Sequence, residues 1–341
     1  MRIFITGIAG LIGYNLAKYL LENYSNIEIT GIDNGIGGVD RNLLELSKYD
    51  NISVFNEDIT NTEFLKTVMQ GVDTVIHTAA YPYEGLSVFS PSIVANSVVT
   101  GTLSVASACI HNNVRLLINC SSMARYGDQI PPFTEDMPRK PVDPYGLAKA
   151  QAEEHLELLS KIHGLNFVTV VPHNVIGVGQ RYYDPFRNVV SIMISRTLQG
   201  KPIVVYGDGE QKRSFSNVID CVKAIHAIMT SDKNLCGQVY NIGPDHNEMT
   251  IKQLGNIVLS TCNKSLNNFI FYPDRPIEVK NAYCSSDKIK REFNYNTTYS
   301  TEETIESMVN WIKEDVREFS YHLPLEFITD KTPKTWVNKL I

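Results

Sequence analysis

Three glycines spaced three apart, Gly7, Gly10 and Gly13, follow the short apolar run Arg2-Ile3-Phe4-Ile5-Thr6 and open an amphipathic segment that continues to Tyr24. A strand, a tight glycine turn and a helix start in that order leave the chain few folds to choose from. The backbone amides of such a turn are bare enough, and the helix dipole favourable enough, for a pyrophosphate to rest against them. The next apolar run, Ile27 to Ile32, ends in Asp33, about twenty residues after the last glycine, where a carboxylate accepts hydrogen bonds from both hydroxyls of an adenosine ribose. An acid there repels a ribose phosphate, so the arrangement predicts a dinucleotide site that takes NAD in preference to NADP.

The same rhythm continues. Asn51 to Asn56 reads as a strand ending in Glu57-Asp58-Ile59, with Asp58 placed either against an adenine or as the cap of the next helix. Asp73 to His77 is a buried-strand run closed by Thr78-Ala79-Ala80, small residues that leave room for a ligand at the sheet's carboxyl edge. His77 reads as a core histidine rather than a base. Pro91 to Ile110 is helical and rich in Ala, Ser, Val and Thr, which suits close packing or a subunit contact. Arg115 to Asn119 leads into Cys120-Ser121-Ser122, and Asn166 to Val171 ends in Pro172-His173-Asn174. Strands alternating with helices predict a Rossmann-like α/β fold, a doubly wound parallel sheet.

Beyond Asn174 the alternation breaks. A loop-like stretch at 177–187, a helix over 188–199 and the cation-tipped turn Tyr206 to Arg213 come before a strand at 238–242 that rejoins the core pattern. A further amphipathic helix lies around 302–319. The expected division is an NAD-binding domain of 1–173 plus 217–243, and a smaller, discontinuous C-terminal α/β substrate region of 174–216 plus 244–341.

The chemistry concentrates in Asp143-Pro144-Tyr145-Gly146-Leu147-Ala148-Lys149. Asp and Pro suit a helix N-cap and first position, and four residues of separation bring Tyr145 and Lys149 to one face. An ammonium beside a phenol favours phenolate, a base able to take the proton of a sugar hydroxyl as hydride leaves the same carbon. Tyr14 and Lys18 repeat the spacing on a helix where no chemistry is expected, so the surroundings of Tyr145 decide its role.

A net charge of −6 and a pI near 5.8 give no basic field for nucleic acid or anionic membrane. Six scattered cysteines without a C-x-x-C pair read as reduced thiols of a cytoplasmic protein, with no metal site. No apolar run approaches membrane-spanning length, and a strand beginning directly after Met1 leaves no room for a targeting peptide.

Together the glycine triplet, Asp33, Ser122, the Tyr145–Lys149 pair, Tyr126-Gly127, the Pro-His-Asn strand end and the Gly207-Asp208-Gly209 to Arg213 turn resemble the extended short-chain dehydrogenase/reductase family, specifically its NAD-dependent nucleotide-sugar epimerases. The resemblance implies Ser122, Tyr145 and Lys149 as the catalytic triad. It implies NAD held by Gly7, Gly10, Leu11, Ile12, Gly13, Asp33, Asn34, Asp58, Ile59, Thr78, Ala79, Ala80, Asn96 and Pro172, with Tyr145 and Lys149 beside it. It assigns the nucleotide sugar to Ser122, Met123, Asn174, Asn188, Val189 and Tyr206, its diphosphate to Arg213 and Arg275, its ribose to Glu278, and a wall of the sugar pocket to Ala282. It also implies a homodimer through the helices at 91–110 and 145–162.

Dehydratases and decarboxylases of this family carry acids beside the catalytic Ser or Thr, whereas Met123 and Ala124 offer none. That leaves a C4 epimerase of a nucleotide-activated hexose. A small residue at Ala282 suggests that UDP-N-acetylhexosamines are accepted alongside UDP-glucose and UDP-galactose. Arg125, where small apolar residues are commoner, would instead suit a uronate if it faced the pocket. The alternatives are a 4-keto-sugar reductase, a uronate 4-epimerase and a non-catalytic NAD-sensing regulator.

Overall fold

A computed structural model describes residues 1–341. The first half alternates strand and helix: β1 (Arg2–Thr6), α1 (Leu11–Asn23), β2 (Glu28–Asp33), α2 (Asp40–Leu46), β3 (Ile52–Asn56), α3 (Thr62–Val68) and β4 (Thr74–His77). Then come α4 (Glu84–Ser87), α5 (Pro91–Ala95), α6 (Gly101–His111), β5 (Leu116–Cys120), α7 (Pro144–His163) and β6 (Phe167–Pro172). With strand Val239–Ile242 these form a seven-stranded sheet in the order Val239–Ile242, β6, β5, β4, β1, β2, β3, and every pairing is parallel. The strand order reverses between β1 and β4, which opens a crevice at their carboxyl ends.

Local sequence explains these elements. The strands β1, β4 and β5 are buried on both faces, as their unbroken apolar runs require. Apolar clusters fill both faces of the sheet, one joining α1 to helix Val218–Met229, the other joining α3 and α6. Gly7 takes φ +68°, and a Cβ added at Gly13 would stand 2.3 Å from the Gly7 carbonyl oxygen, so glycine lets α1 start hard against the turn.

Residues 91–111 form one continuous helix, α5 and α6 joined by a π-turn over Asn96–Thr100. It is long and apolar enough, by length and composition, to span a membrane, contrary to the expectation from sequence. Over half of that stretch is buried, and it packs against α3 and α7, which accounts for its apolar character within this fold.

The second region contains a parallel pair, Ile203–Tyr206 with Phe269–Tyr272, and a three-stranded patch that joins Lys212–Arg213 to Met249–Thr250 and Asn281–Ala282. Its own core gathers helices Val189–Leu198, Ile251–Thr261 and Thr301–Lys313. The chain after Lys313 folds back as a strap across both regions. Pro324 accepts from the Ser90 hydroxyl at 2.8 Å, and the Glu326 carboxylate takes the Ile93 N–H at 2.8 Å. On the other side Leu340 accepts from Arg196 at 2.8 Å, and the Thr335 and Tyr206 hydroxyls meet at 2.5 Å.

Candidate active site

The carboxyl ends of the strands border one long cleft that continues into the second region. Gly7, Gly10, Leu11 and Ile12 line its floor at the start of α1. The Asp33 carboxylate sits at the end of β2, accepting the N–H groups of Ala9 at 3.0 Å and Gly35 at 2.8 Å. Burial raises its pKa, and those two amides oppose the rise. Asp58 accepts from the Asn34 amide at 2.7 Å and from Thr60; despite partial burial, these donors hold its carboxyl below the usual range. The cap of α3 is Asn61, not Asp58, so Asp58 is left facing the cleft with Asn34 and Ile59.

Thr78, Ala79 and Ala80 also face the cleft, and a Cβ on Gly7 would meet the Ala79 backbone at 2.8 Å. This backbone-lined cradle at a helix N-terminus, with a carboxylate at the far strand end, fits a dinucleotide with an unphosphorylated ribose. His77 is bonded between Thr6 (2.8 Å) and Thr102 (3.0 Å), and burial lowers its pKa to about 3, as a neutral core histidine.

Ser122, Tyr145 and Lys149 meet where β5 ends and α7 begins, and all three line the cleft. Asp143 caps α7 through the Gly146 N–H at 2.8 Å, and Pro144 opens the helix. The Ser87 hydroxyl of α4 accepts the Tyr145 N–H at 3.1 Å. Lys149 donates to the Cys120 carbonyl at 2.7 Å, and its Nζ lies 6.0 Å from the Tyr145 ring centroid.

The electrostatics here depart from the sequence expectation. Burial raises the Tyr145 phenol, a hydrogen bond from Ser122 works in the opposite direction, and Glu84 and Asp143 push it further up. Burial likewise lowers Lys149 to about 8. In this closed corner desolvation outweighs the ammonium, which is held by a backbone carbonyl rather than by the phenolic oxygen.

Met123, Asn174, Asn188, Val189 and Tyr206 line the second half of the cleft, with Pro172 at the junction. Asn188 also caps its helix through Val190, and Asn174 donates to the Ser214 carbonyl. Arg213 and Arg275 converge on Glu278, with contacts of 3.1 and 2.7 Å, and Arg275 lies 5.1 Å over the Tyr206 ring. Two guanidinium groups fixed by one acid form a ready anion receptor.

Several expected residues are not on the wall. Gly13 serves helix packing, and Asn96 lies in the π-turn while its neighbour Ser97 lines the cleft. Ala282 is buried with Tyr126, Phe133 and Cys284, one layer behind Met123 and Val279. Arg125 is also off the wall, buried in an ion pair with Glu153 at 3.0 Å and lying over Tyr126.

The structure adds lining residues that sequence reasoning missed: Glu84 on α4, Arg187, and Trp336 and Ile341 of the strap. Glu84 lies on the four-residue turn α4, too short to carry a periodic signal. The apolar residues of the tail, Leu323, Leu325, Phe327 and Trp336 among them, were the signal for the strap.

A parallel sheet reversing at a glycine turn, with Ser, Tyr and Lys gathered at its carboxyl edge, defines a dinucleotide-dependent enzyme of the short-chain dehydrogenase/reductase type. The model of the NAD dependent epimerase/dehydratase family matches residues 3–243, and the chain belongs to that family. It is 29% identical over 321 residues to a UDP-glucuronate 4-epimerase of Thermodesulfobacterium geofontis, covering 92% of this chain and 96% of the relative. The UDP-glucose 4-epimerase of Thermotoga maritima, solved with UDP-glucose, superposes with a TM-score of 0.85 at 27% identity, over 93% of this chain and 100% of that one. A UDP-N-acetylglucosamine 4-epimerase from Methanobrevibacter ruminantium M1, solved with UDP-N-acetylmuramic acid, gives 0.83 at 28% identity over 92% and 98%. The cofactor is NAD.

Proposed function

We propose that this protein inverts C4 of a nucleotide-activated hexose, UDP-glucose/UDP-galactose or the N-acetylhexosamine pair, through a transient 4-keto sugar. The observation that carries the reading is the wall beside Ser122. Met123 faces the cleft and Ala124 is buried, so no side chain next to the serine supplies the extra acid or base that elimination or decarboxylation requires. One base and a reversible redox partner suffice for epimerisation.

In this mechanism Arg213 and Arg275 anchor the diphosphate, Glu278 meets the ribose, and Tyr206, Asn174 and Asn188 frame the sugar nucleotide. NAD, held by the glycine turn, Asp33 and Asp58, supplies reversible hydride chemistry at C4. Burial alone disfavours the Tyr145 phenolate, and the positive charge of a bound nicotinamide, with Lys149 and the Ser122 hydrogen bond, would favour it; Tyr145 then takes the C4 hydroxyl proton while Ser122 bonds the same oxygen and relays the proton. The keto sugar turns over while its diphosphate stays anchored, and Tyr145 returns the proton on completion. The split into 1–173 plus 217–243 for cofactor and the remainder for sugar belongs to this proposal. So does a homodimer through α7 and the helix at 91–111, a surface that exposes Leu147, Leu158 and Ile162.

A second reading has one observation in its favour. Glu84 adds a carboxyl to the cleft near Tyr145, and a 4,6-dehydratase needs such a group. Proton NMR of the anomeric region separates the readings, with UDP-galactose, UDP-N-acetylgalactosamine and UDP-glucuronate in separate tubes. A gluco/galacto mixture with no net NADH supports the epimerase. A 4-keto-6-deoxy product overturns it in favour of the dehydratase, and net cofactor consumption points to a reductase.

A further inference from the structure

Every carboxylate that lines the cleft is held by a donor, with one exception. Asp33 accepts from Ala9 and Gly35, Asp58 from Asn34 and Thr60, Glu57 from the Asp58 N–H, Asp143 from Gly146, and Glu278 from both arginines. The Glu84 side chain enters no hydrogen bond and no ion pair; residue 84 is bonded only through its backbone carbonyl, which accepts from the Ser87 hydroxyl at 2.7 Å. The side chain opens onto the water of the cleft, yet it stands deep among protein atoms, and the charges acting on it are Asp143, Glu278, Arg213 and Arg275.

Its position follows from α4. At one end of that turn Ser87 is bonded to the backbone of Tyr145. Beside Glu84 a Cβ on Gly85 would lie 3.2 Å from Arg275 Nη1 and 3.1 Å from the Trp336 ring. Glu84 therefore stands between the phenol that meets C4 and the guanidinium groups that meet the diphosphate on C1. A hexose that spans those two points passes its carboxylate.

We propose that Glu84 reads the hexose: it accepts a hydrogen bond from a hydroxyl or amino group of a neutral or amino-bearing sugar, and it excludes uronates. The inference deepens the proposed function and rests on it. An unpaired acceptor in a confined site gains most from a ligand donor, and a second carboxylate beside it is repelled. Burial and the neighbouring Asp143 already push the Glu84 carboxyl up to about 7, so the site resists further negative charge. The cations that would offset a uronate are committed elsewhere: Arg125 to Glu153, Lys149 to a carbonyl, and Arg213 and Arg275 to the diphosphate in the proposed binding mode. Arg187 is the remaining candidate; it donates to the Gly37 carbonyl at 2.9 Å and lies over Tyr83.

Calorimetric titration of the NAD-loaded protein with UDP-glucose and UDP-glucuronate, on wild type, Glu84→Gln and Glu84→Arg, tests this. The ratio of the two affinities cancels whatever Glu84 does to the shared UDP moiety. Wild type is expected to favour UDP-glucose by about thirtyfold or more, Glu84→Gln to cut that ratio about tenfold, and Glu84→Arg to reverse it. Equal wild-type affinities, or a ratio unchanged within about twofold in Glu84→Gln, would overturn the assignment; in the first case Arg187 would be the carboxylate receptor. Binding is read whether or not the sugar turns over, so an inactive wild type that keeps the ratio would count against the proposed reaction and still support the role of Glu84.

Discussion

The cofactor end and the sugar end of the cleft are made by different means. At the cofactor end the ligand-facing groups are backbone amides and strand-end side chains, each fixed by neighbours within the sheet, as Asp33 is by Ala9 and Gly35. At the sugar end they are long side chains brought from distant segments, with Arg213 and Arg275 held on Glu278 and Trp336 supplied by the strap. A backbone site is bound to the fold and changes little without breaking it. A side-chain site can be altered one residue at a time, and the relatives, which are named for glucose, glucuronate and N-acetylglucosamine, share one scaffold.

Five substitutions press on that contrast. The largest effect belongs to the corner where the two ends meet. Tyr145→Phe should lower kcat by about a thousandfold or more with sugar-nucleotide affinity little changed, and full activity would remove the phenol from the mechanism. Lys149→Met should also abolish turnover while raising thermal stability. The folded pKa of Lys149 is about 8, below its ordinary value of 10.5, so burying the charge costs roughly 3 kcal/mol at neutral pH. That penalty is complete below pH 8 and fades as pH rises towards 10.5, so calorimetric scans should show the variant's advantage shrinking over that window.

Next in size, Arg213→Ala should weaken UDP binding about ten- to a hundredfold and leave NAD retention untouched, measured as bound cofactor after gel filtration. Loss of NAD as well would show the two ends to be one unit. Trp336→Ala should raise KM by about tenfold and lower the melting temperature by several degrees, because the indole is buried against Phe186 and Phe89 at 5.3 and 5.9 Å. The smallest effect is on Glu84. Its folded pKa is raised from 4.5 to about 7, which disfavours the folded state above pH 7 and is neutral below 4.5. Glu84→Gln should therefore raise the melting temperature at pH 8 and leave it unchanged near pH 4.

The two ends also differed in how far the sequence revealed them. The glycine turn, Asp33, the strand-end Thr78-Ala79-Ala80 and the capped start of α7 all follow from local order. Their elements appear within a residue or two of the expected limits, as Leu11–Asn23 and Pro144–His163 do. The direction of the Tyr145 shift was not legible, because it depends on how completely other segments enclose the phenol. Ala282 was expected on the sugar wall, but it packs into a cluster with Tyr126, Phe133 and Cys284, which segments far apart in the chain assemble. Glu84 and the strap carry no periodic signal. Their place depends on contacts between residues more than a hundred positions apart, such as Arg196 with Leu340.

Those distances govern the order in which the molecule assembles. Paired strands of the sheet bring together residues such as Arg2 with Glu28 or Ile3 with Thr74, whereas the Ser90–Pro324 bond joins residues 234 positions apart and needs both regions in place. The outer wall of the sugar pocket is therefore expected to be the last part of the cleft to form during refolding. Only two tryptophans are present, Trp311 and Trp336. With Trp311 replaced by Phe, the fluorescence of Trp336 becomes a clock for strap docking, and it should lag the far-ultraviolet circular dichroism of the sheet and helices.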